Sequence, residues 1–509
     1  MSWILDPIIS LINYVPDVSQ DSRPIPCAAL QTLRLENTVI TTATHIPGDK
    51  VLIKVPGSCS GAALVTASIC RVHFIVNTTS TSRVHAEAWL PDEWYGRFLG
   101  VGNRGVGGCI DYDMIDYGSS LHFAAVGSDN GHDGNDDPSF AEPEVVNDFA
   151  FRAVHVEAVI GKQIVEAYYG RPHSKSYYLG CSTGGRQGIQ AALRYPEDFD
   201  GILAGAPAVD WNHLMGWMVM LGIYIGAPNA ATSPSVILFE LWEVVAAEIM
   251  KQCDALDGVE DGIITEPDDC HFKPSVLLCS QDKTTDCLTE PQIAALEKIY
   301  QPLLGSKKEL LYPRYDPGTA VMGGWLLYFR GDIMPMSDIW YKTVVLKDPN
   351  FDFSNFNLST IALAEKVNPG GISTFDGDLS AFKKRGGKLI TYHGRADTGI
   401  ASGISKRYYN LVAETMGMRN LDSFYRLFLV PGMSHCMGGR GAAYFGQFGF
   451  ETNAVNTTRG NILLALVDWV ENGAAPDTIV GTAYDGTQRS HCRFPQKSVW
   501  DGEKFNCQV

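Results

Sequence analysis

SYYLGCSTGGRQGIQAALRYPEDFDGILAGAPA (176–208) is the stretch that decides the fold. An aromatic, strand-prone run, SYYLG, meets a serine framed by glycines; a helix-like segment follows, and then the apolar run GILAGAP (201–207). Strand, helix and strand in succession call for a parallel pair joined by a crossover. The same grammar extends upstream. RVHFIV (71–76), HAEAWLP (85–91), RFLGVG (97–102) and FAAVGSD (123–129) read as strands. NDFAFRAVHVEAVIGKQIVEAYYG (147–170) reads as a helix, with Asn147 as the expected N-cap and Gly170 as the stop. After Ala208 the texture changes to a stretch rich in Trp, Met, Tyr and Pro that includes the helical FELWEVVAAEIMKQC (239–253). The α/β rhythm returns at KLITYHG (388–394) and FYRLFLVPG (424–432). The expected class is therefore α/β, with a core formed by 1–208 and 387–509 and an inserted domain over 209–386.

Composition narrows the function. A net charge of −17 over 509 residues repels phosphates, which disfavours nucleic acid and anionic membrane as partners. No apolar run is long enough to span a bilayer. The pairs Cys253/Cys270, Cys279/Cys287 and Cys492/Cys507 sit in polar, turn-rich stretches. With Cys27, Cys59, Cys70, Cys109, Cys181 and Cys436 they make twelve, with no C-x-x-C pair and no tight Cys/His cluster to suit zinc. Six disulfides in an oxidising compartment are expected, hence a secreted protein. Sequons at Asn77, Asn357 and Asn456 agree with that. The N-terminal MSWILDPIISLINYVPDVSQ lacks a basic n-region and a small-x-small site, so either a secretory leader lies upstream of it, the protein leaves by an unconventional route, or the compartment is not oxidising; the first is the expectation.

Gly180-Cys181-Ser182-Thr183-Gly184 matches G-x-S-x-G between a strand and a helix. Such a turn puts the serine on a strained corner and aims the Thr183 amide at a developing oxyanion. Taken alone, the glycines would equally suit a phosphate-binding βα turn. A serine nucleophile needs a base, and the base needs a carboxylate. In α/β-hydrolases these follow in the order Ser, Asp or Glu, His. Here Asp397 follows the strand at 388–394 and His435 follows the strand at 424–432, whereas Asp376 and Asp378 precede the first of these and belong to the opposite sheet edge. Cys181 precedes the serine as Cys436 follows the histidine, so a Cys181–Cys436 bridge is geometrically feasible once serine and histidine meet.

The motifs GCSTGGRQG (180–188), HGRADTGI (393–400), PGMSHC (431–436), GSDNGH (127–132) and YPEDFDGILAGAPA (195–208) together resemble the tannase and feruloyl esterase family over nearly the whole chain. The resemblance implies an α/β-hydrolase core with a large lid inserted after GAPA, a Ser182–Asp397–His435 triad and the Cys181–Cys436 bridge. It also implies a second oxyanion donor from VGNRGVGGCI (101–110); Arg104 stands where many relatives have glycine, and the Gly105 amide is the expected donor. In CDALDGVEDGII (253–264), Asp254, Asp257 and Asp261 cluster oxygen ligands suited to a hard cation, in a spacing unlike an EF-hand. The resemblance implies structural Ca2+ in the lid, held by those aspartates and the carbonyls of Val259 and Ile263. Within the aromatic segment 323–345, most rings are expected to pack the lid, with Trp325, Phe329 and Trp340 as candidates to line an aromatic acyl pocket. The expected activity is hydrolysis of small or polysaccharide-linked feruloyl or hydroxycinnamoyl esters without an organic cofactor. Galloyl esters and depsides are the alternative substrates, and a non-catalytic binding protein on the same scaffold is the rival from another class.

Overall fold

The computed structural model describes residues 24–57, 61–134, 138–322, 331–419, 421–447 and 457–508. Cys59, Trp325, Phe329 and the sequon Asn456 lie outside them.

In chain order the first strands are β1 (Thr38–Ile46), the hairpin β2 (Val51–Lys54) and β3 (Ala62–Val65), β4 (Ile69–Asn77), β5 (Arg83–Pro91), β6 (Arg97–Val101) and β7 (Phe123–Ser128). There follow β8 (Lys175–Cys181), β9 (Gly201–Gly205), a hairpin of β10 (Leu303–Leu304) and β11 (Leu310–Tyr312), β12 (Lys388–Gly394) and β13 (Tyr425–Val430). Nine strands form one sheet in the order β1-β4-β5-β7-β6-β8-β9-β12-β13. The first three junctions are antiparallel and the rest, from β7 to β13, are parallel. The helices α1 (Tyr112–Ser120), α2 (Pro143–Asn147), α3 (Ala153–Tyr169) and α4 (Thr183–Arg194) belong to the first half of the chain.

Successive strand residues point to opposite faces, and both faces are covered. Phe98, Val126, Tyr178 and Ile202 join a core with Ala158 and Ile164 of α3 and Ile189 of α4. Their neighbours Leu99, Ala125, Leu179 and Leu203 join a second core with Ile115 of α1 and Leu463 and Leu466 of the helix Ile462–Asn472. Burial on both faces is why these strands read as continuous apolar runs. The helix expected from Asn147 begins earlier: Asn147 has φ −65° and ψ −41° and makes no cap bond, because Pro143 starts a helical turn at the N1 position where its missing N–H costs nothing. The stop at Gly170 is as expected, with φ 68°.

Between β9 and β12, which pair directly, the chain makes its long excursion, adding no strand to the main sheet. Its aromatic residues continue one core of the sheet. Trp340 is fully buried, edge-on to Trp211 at 5.6 Å and near Phe149 and Phe140. Trp340 leaves no ring surface open and packs among these rings at the junction between insertion and sheet.

Candidate active site

Parallel strands end on the same edge of a sheet, and the registers Val101↔Leu179, Cys181↔Gly205 and Gly394↔Val430 bring the carboxyl ends of β6, β8, β9, β12 and β13 side by side. The loops leaving this edge carry Gly105, Ser182, Asp397 and His435.

Ser182 sits at φ 66° and ψ −119°, a strained backbone for a residue with a side chain, between β8 and α4. The corner is tight enough to demand its glycines. A Cβ on Gly180 would lie 2.7 Å from the Gly184 backbone, and one on Gly185 would lie 2.3 Å from the Gly205 carbonyl. The Ser182 amide donates to the Gly205 carbonyl at 2.9 Å, which fixes the corner to the neighbouring strand. The Ser182 hydroxyl makes no hydrogen bond among the described residues, so it can turn toward a base or a substrate. Thr183 is the first residue of α4, where the amide has no intrahelical acceptor. Its hydroxyl donates to the Gly105 carbonyl, and the Gly105 amide has no acceptor among the described residues. The Arg104 guanidinium turns to Asp111, at 2.6 and 3.0 Å.

His435 Nδ1 donates to Asp397, at 2.8 Å to Oδ2 and 3.0 Å to Oδ1. That tautomer leaves Nε2 as a proton acceptor on a side chain still 30% exposed. Asp397 is buried, and its Oδ1 also accepts the amides of Gly399 at 2.7 Å and Ile400 at 2.8 Å. Burial alone would raise the Asp397 carboxyl. The His435 charge and the hydrogen bonds from His393 and His435 win, and hold it well below the usual carboxylate range. Burial likewise disfavours the His435 imidazolium, but the Asp397 charge and hydrogen bond raise its pKa above the ordinary value. Asp376 and Asp378 lie exposed before β12, far along the strand from this edge.

Cys181 and Cys436 are disulfide-bonded with Cα atoms 6.0 Å apart, which staples the serine corner to the histidine loop. Cys27–Cys70, Cys253–Cys270, Cys279–Cys287 and Cys492–Cys507 are also bridged, and Cys109 is oxidised as well.

Two supports around the triad escaped the sequence reading. His393, in the motif containing Asp397, places Nε2 3.1 Å from Asp397 Oδ2 and 3.0 Å from the Ile400 carbonyl, while Nδ1 faces the Ser405 hydroxyl at 2.7 Å. Arg395, two residues before Asp397, is gripped from the insertion. It bonds Asp316 at 3.1 and 3.4 Å and Asp268 at 3.1 Å, and Asp316 also accepts from the Ser402 hydroxyl. Tyr315 donates to the Thr398 carbonyl at 2.9 Å. The adjacent H-G and R-A residues of the motif were a signal for the first support. The second joins residues 79 apart, and no spacing rule points to it.

Away from the triad, Asp254 accepts the amides of Gly262 and Ile263 at 3.1 and 3.2 Å, and Asp261 accepts the same Ile263 amide at 3.0 Å. Asp257 accepts the Val259 amide at 3.0 Å through Oδ1, while its Oδ2 is buried without a partner. The carbonyls of Val259 and Ile263 accept no hydrogen bond from the described residues. Burial raises the Asp261 carboxyl, and the negative charges of Asp257 and Asp254 push the same way. The buried, unpartnered Asp257 oxygen is the feature of this loop that would suit a hard cation. Asp254, Asp257 and Asp261 do not bring their ligand atoms within 4.8 Å of one another; among the described residues, the one group of three or more His, Cys, Asp or Glu side chains that does is Asp210, His213 and Glu365. Its His213–Asp210 contact of 2.8 Å makes it an ion-paired cluster as well.

A family model for tannase and feruloyl esterase matches residues 70–325 and 331–508. A probable feruloyl esterase B-2 from Aspergillus flavus is 44% identical over 444 residues, which are 85% of this chain and 84% of that protein. The crystal structure of feruloyl esterase B from Aspergillus oryzae superposes with a TM-score of 0.90 at 38% identity, covering 94% of this chain and 98% of that one. The tannin acyl hydrolase from Aspergillus niger shares the fold, with a TM-score of 0.73 at 21% identity over 96% of this chain and 93% of that one.

Proposed function

The chain belongs to the tannase and feruloyl esterase family, and from that premise we propose that it is a serine carboxylesterase cleaving feruloyl or related hydroxycinnamoyl esters. The observation that carries the reading is the His435–Asp397 pair on a loop that the Cys181–Cys436 bridge joins to the Ser182 corner.

Ser182 attacks the ester carbonyl as His435 Nε2 takes the hydroxyl proton. Asp397 orients the ring and stabilises the imidazolium that forms. The Thr183 and Gly105 amides receive the oxyanion. Collapse expels the alcohol, which takes the proton from His435. Water then attacks the acyl-enzyme with His435 as base, releasing the phenolic acid. The insertion over 209–386 serves as a lid, and Trp325 and Phe329 remain its candidates for the aromatic acyl group. Asp254, Asp257 and Asp261 with the Val259 and Ile263 carbonyls would hold Ca2+, which would supply structural cross-linking charge within the lid. The five described disulfides suit secretion, and among the described residues no helix is long and apolar enough to cross a membrane.

Two measurements test this. Ser182→Ala is expected to cut turnover of methyl ferulate by about 10⁶ with the fold intact; retained turnover rejects the mechanism. A panel of methyl ferulate, methyl gallate, a depside and an aliphatic p-nitrophenyl ester is expected to favour the ferulate, and preference for the gallate would assign the tannase alternative instead.

A further inference from the structure

The triad makes no use of two motifs, the Arg-Gln after the nucleophile glycines and GSDNGH (127–132). They meet around the loop that carries Gly105. Gln187 lies on α4, 2% exposed. Its Oε1 accepts the Asn103 amide at 2.9 Å, and its Nε2 donates to Asn103 Oδ1 at 2.8 Å and to Asn130 Oδ1 at 3.1 Å. Asn103 in turn donates through Nδ2 to the carbonyls of Cys109 at 2.8 Å and Ser128 at 2.7 Å, closing the loop on itself around Gly105. From the far side, His132 Nε2 donates to the Val106 carbonyl at 2.9 Å, and the Gly134 amide donates to the Gly108 carbonyl at 2.7 Å.

The amide orientations follow from chemistry. Asn103 N–H can only donate, so Gln187 must present its oxygen there and its nitrogen to the two asparagine oxygens. Asn103 faces two carbonyls with Nδ2, which independently leaves Oδ1 for Gln187. Asn103 and Asn130 are 1% and 0% exposed, so no water can substitute for a lost partner without entering the core.

We infer that Gln187 is a positioning residue for the oxyanion site, acting through Asn103 to hold the Gly105 amide in register with the Thr183 amide. Both donors then hang from one rigid element: Thr183 opens α4, and Gly105 is tied to α4 by the Gln187–Asn103 clamp and by the Thr183 hydroxyl. The inference rests on the serine-esterase reading, since paired donors matter only if Ser182 forms a tetrahedral intermediate.

Gln187→Met keeps the volume and removes these three hydrogen bonds together with the long one, at 3.5 Å, that Oε1 accepts from the Tyr178 hydroxyl. With methyl ferulate, kcat is expected to fall about 10- to 100-fold with KM within about 3-fold. Affinity for phenylboronic acid, which forms a tetrahedral adduct on a serine oxygen, should fall by the same factor, while inhibition by free ferulate stays unchanged. Asn130→Gly, which tolerates the φ of 62° at that position, removes one bond of the clamp and should show the same split at about 3- to 10-fold. It decides the matter if the Gln187 variant fails to fold. Wild-type kcat and boronate affinity alongside a lowered Tm would overturn the inference, as would equal losses of boronate and ferulate binding. Ser182→Ala assayed in parallel separates the two claims: if it still turns over methyl ferulate, the serine-esterase reading fails, whereas an inactive Ser182→Ala beside an unimpaired Gln187→Met rejects the clamp alone.

Discussion

At the scale of single residues, the pair His435 and Asp397 sets the pH behaviour. Only neutral His435 can take the Ser182 proton, and its pKa is raised, so kcat/KM should fall on the acid side at a pH above the ordinary imidazole value. Stability carries the opposite sign for His435: its contribution is complete below the ordinary imidazole range and is lost as pH rises through the raised folded value. Asp397, whose folded pKa is depressed, contributes stability above the ordinary carboxylate range and loses it as pH falls through the depressed value. Asp397→Asn should lower kcat by about 10⁴ and move the acid limb downward; a pH–rate profile of the variant checks both. His393 acts one step further out, through Asp397; its position in HGRADTGI is plain in the sequence, but its contact with the carboxylate is a fact of the folded loop.

Among elements, the contact that matters is between the insertion and the loop after β12. Arg395 is 2% exposed and held by Asp316 and Asp268, both from the insertion. Asp316→Ala leaves Asp268 as its remaining partner, and breaking a buried pair in this way costs about 3 kcal/mol. Urea denaturation should show that loss, and kcat should fall with it, because the same loop carries Asp397. The elements themselves were legible in advance. The main-sheet strands from residue 71 to 432 announced themselves by short apolar runs between turn residues, and the helix ending at Gly170 by its spacing, whereas β1 and the hairpins β2–β3 and β10–β11 did not. The N-cap at Asn147 misled because an asparagine beside an apolar run looks like a start, although Pro143 had already begun the turn.

Over the whole molecule, the disulfides and the acidic loop of the insertion bear on how rigidly the sheet edge with Ser182 and His435 is held. The Cys181–Cys436 bridge spans 255 residues of sequence, and in the chain-entropy account such a closure is worth about 5 kcal/mol. Replacing both cysteines with alanine should therefore lower the urea midpoint, and kcat should drop further than stability explains because the serine corner and histidine loop part company. The acidic loop borders the same region: a Cβ on Gly432, in the histidine loop, would lie 3.1 Å from the Ile263 side chain. Dialysis against a chelator should lower Tm, and readdition of Ca2+ should restore it; metal analysis of the undialysed protein should find about one ion per chain.

The sequence by itself determined the α/β class, the long insertion, the serine corner and the order Ser182, Asp397, His435, because strand and helix periodicity, turn glycines and loop positions are written in neighbouring residues. It also carried the cysteine pairing at the active site, since adjacency to the serine and the histidine is a local fact. Only the tertiary structure decided that Gln187 clasps Asn103, 84 residues away, that Asp316 grips Arg395, 79 away, and that Trp340 is enclosed by other rings. Those side chains meet because β6 lies beside β8 and because the insertion folds back over the sheet edge. Which strands become neighbours, and which loops then face each other, is settled by the packing of the whole chain.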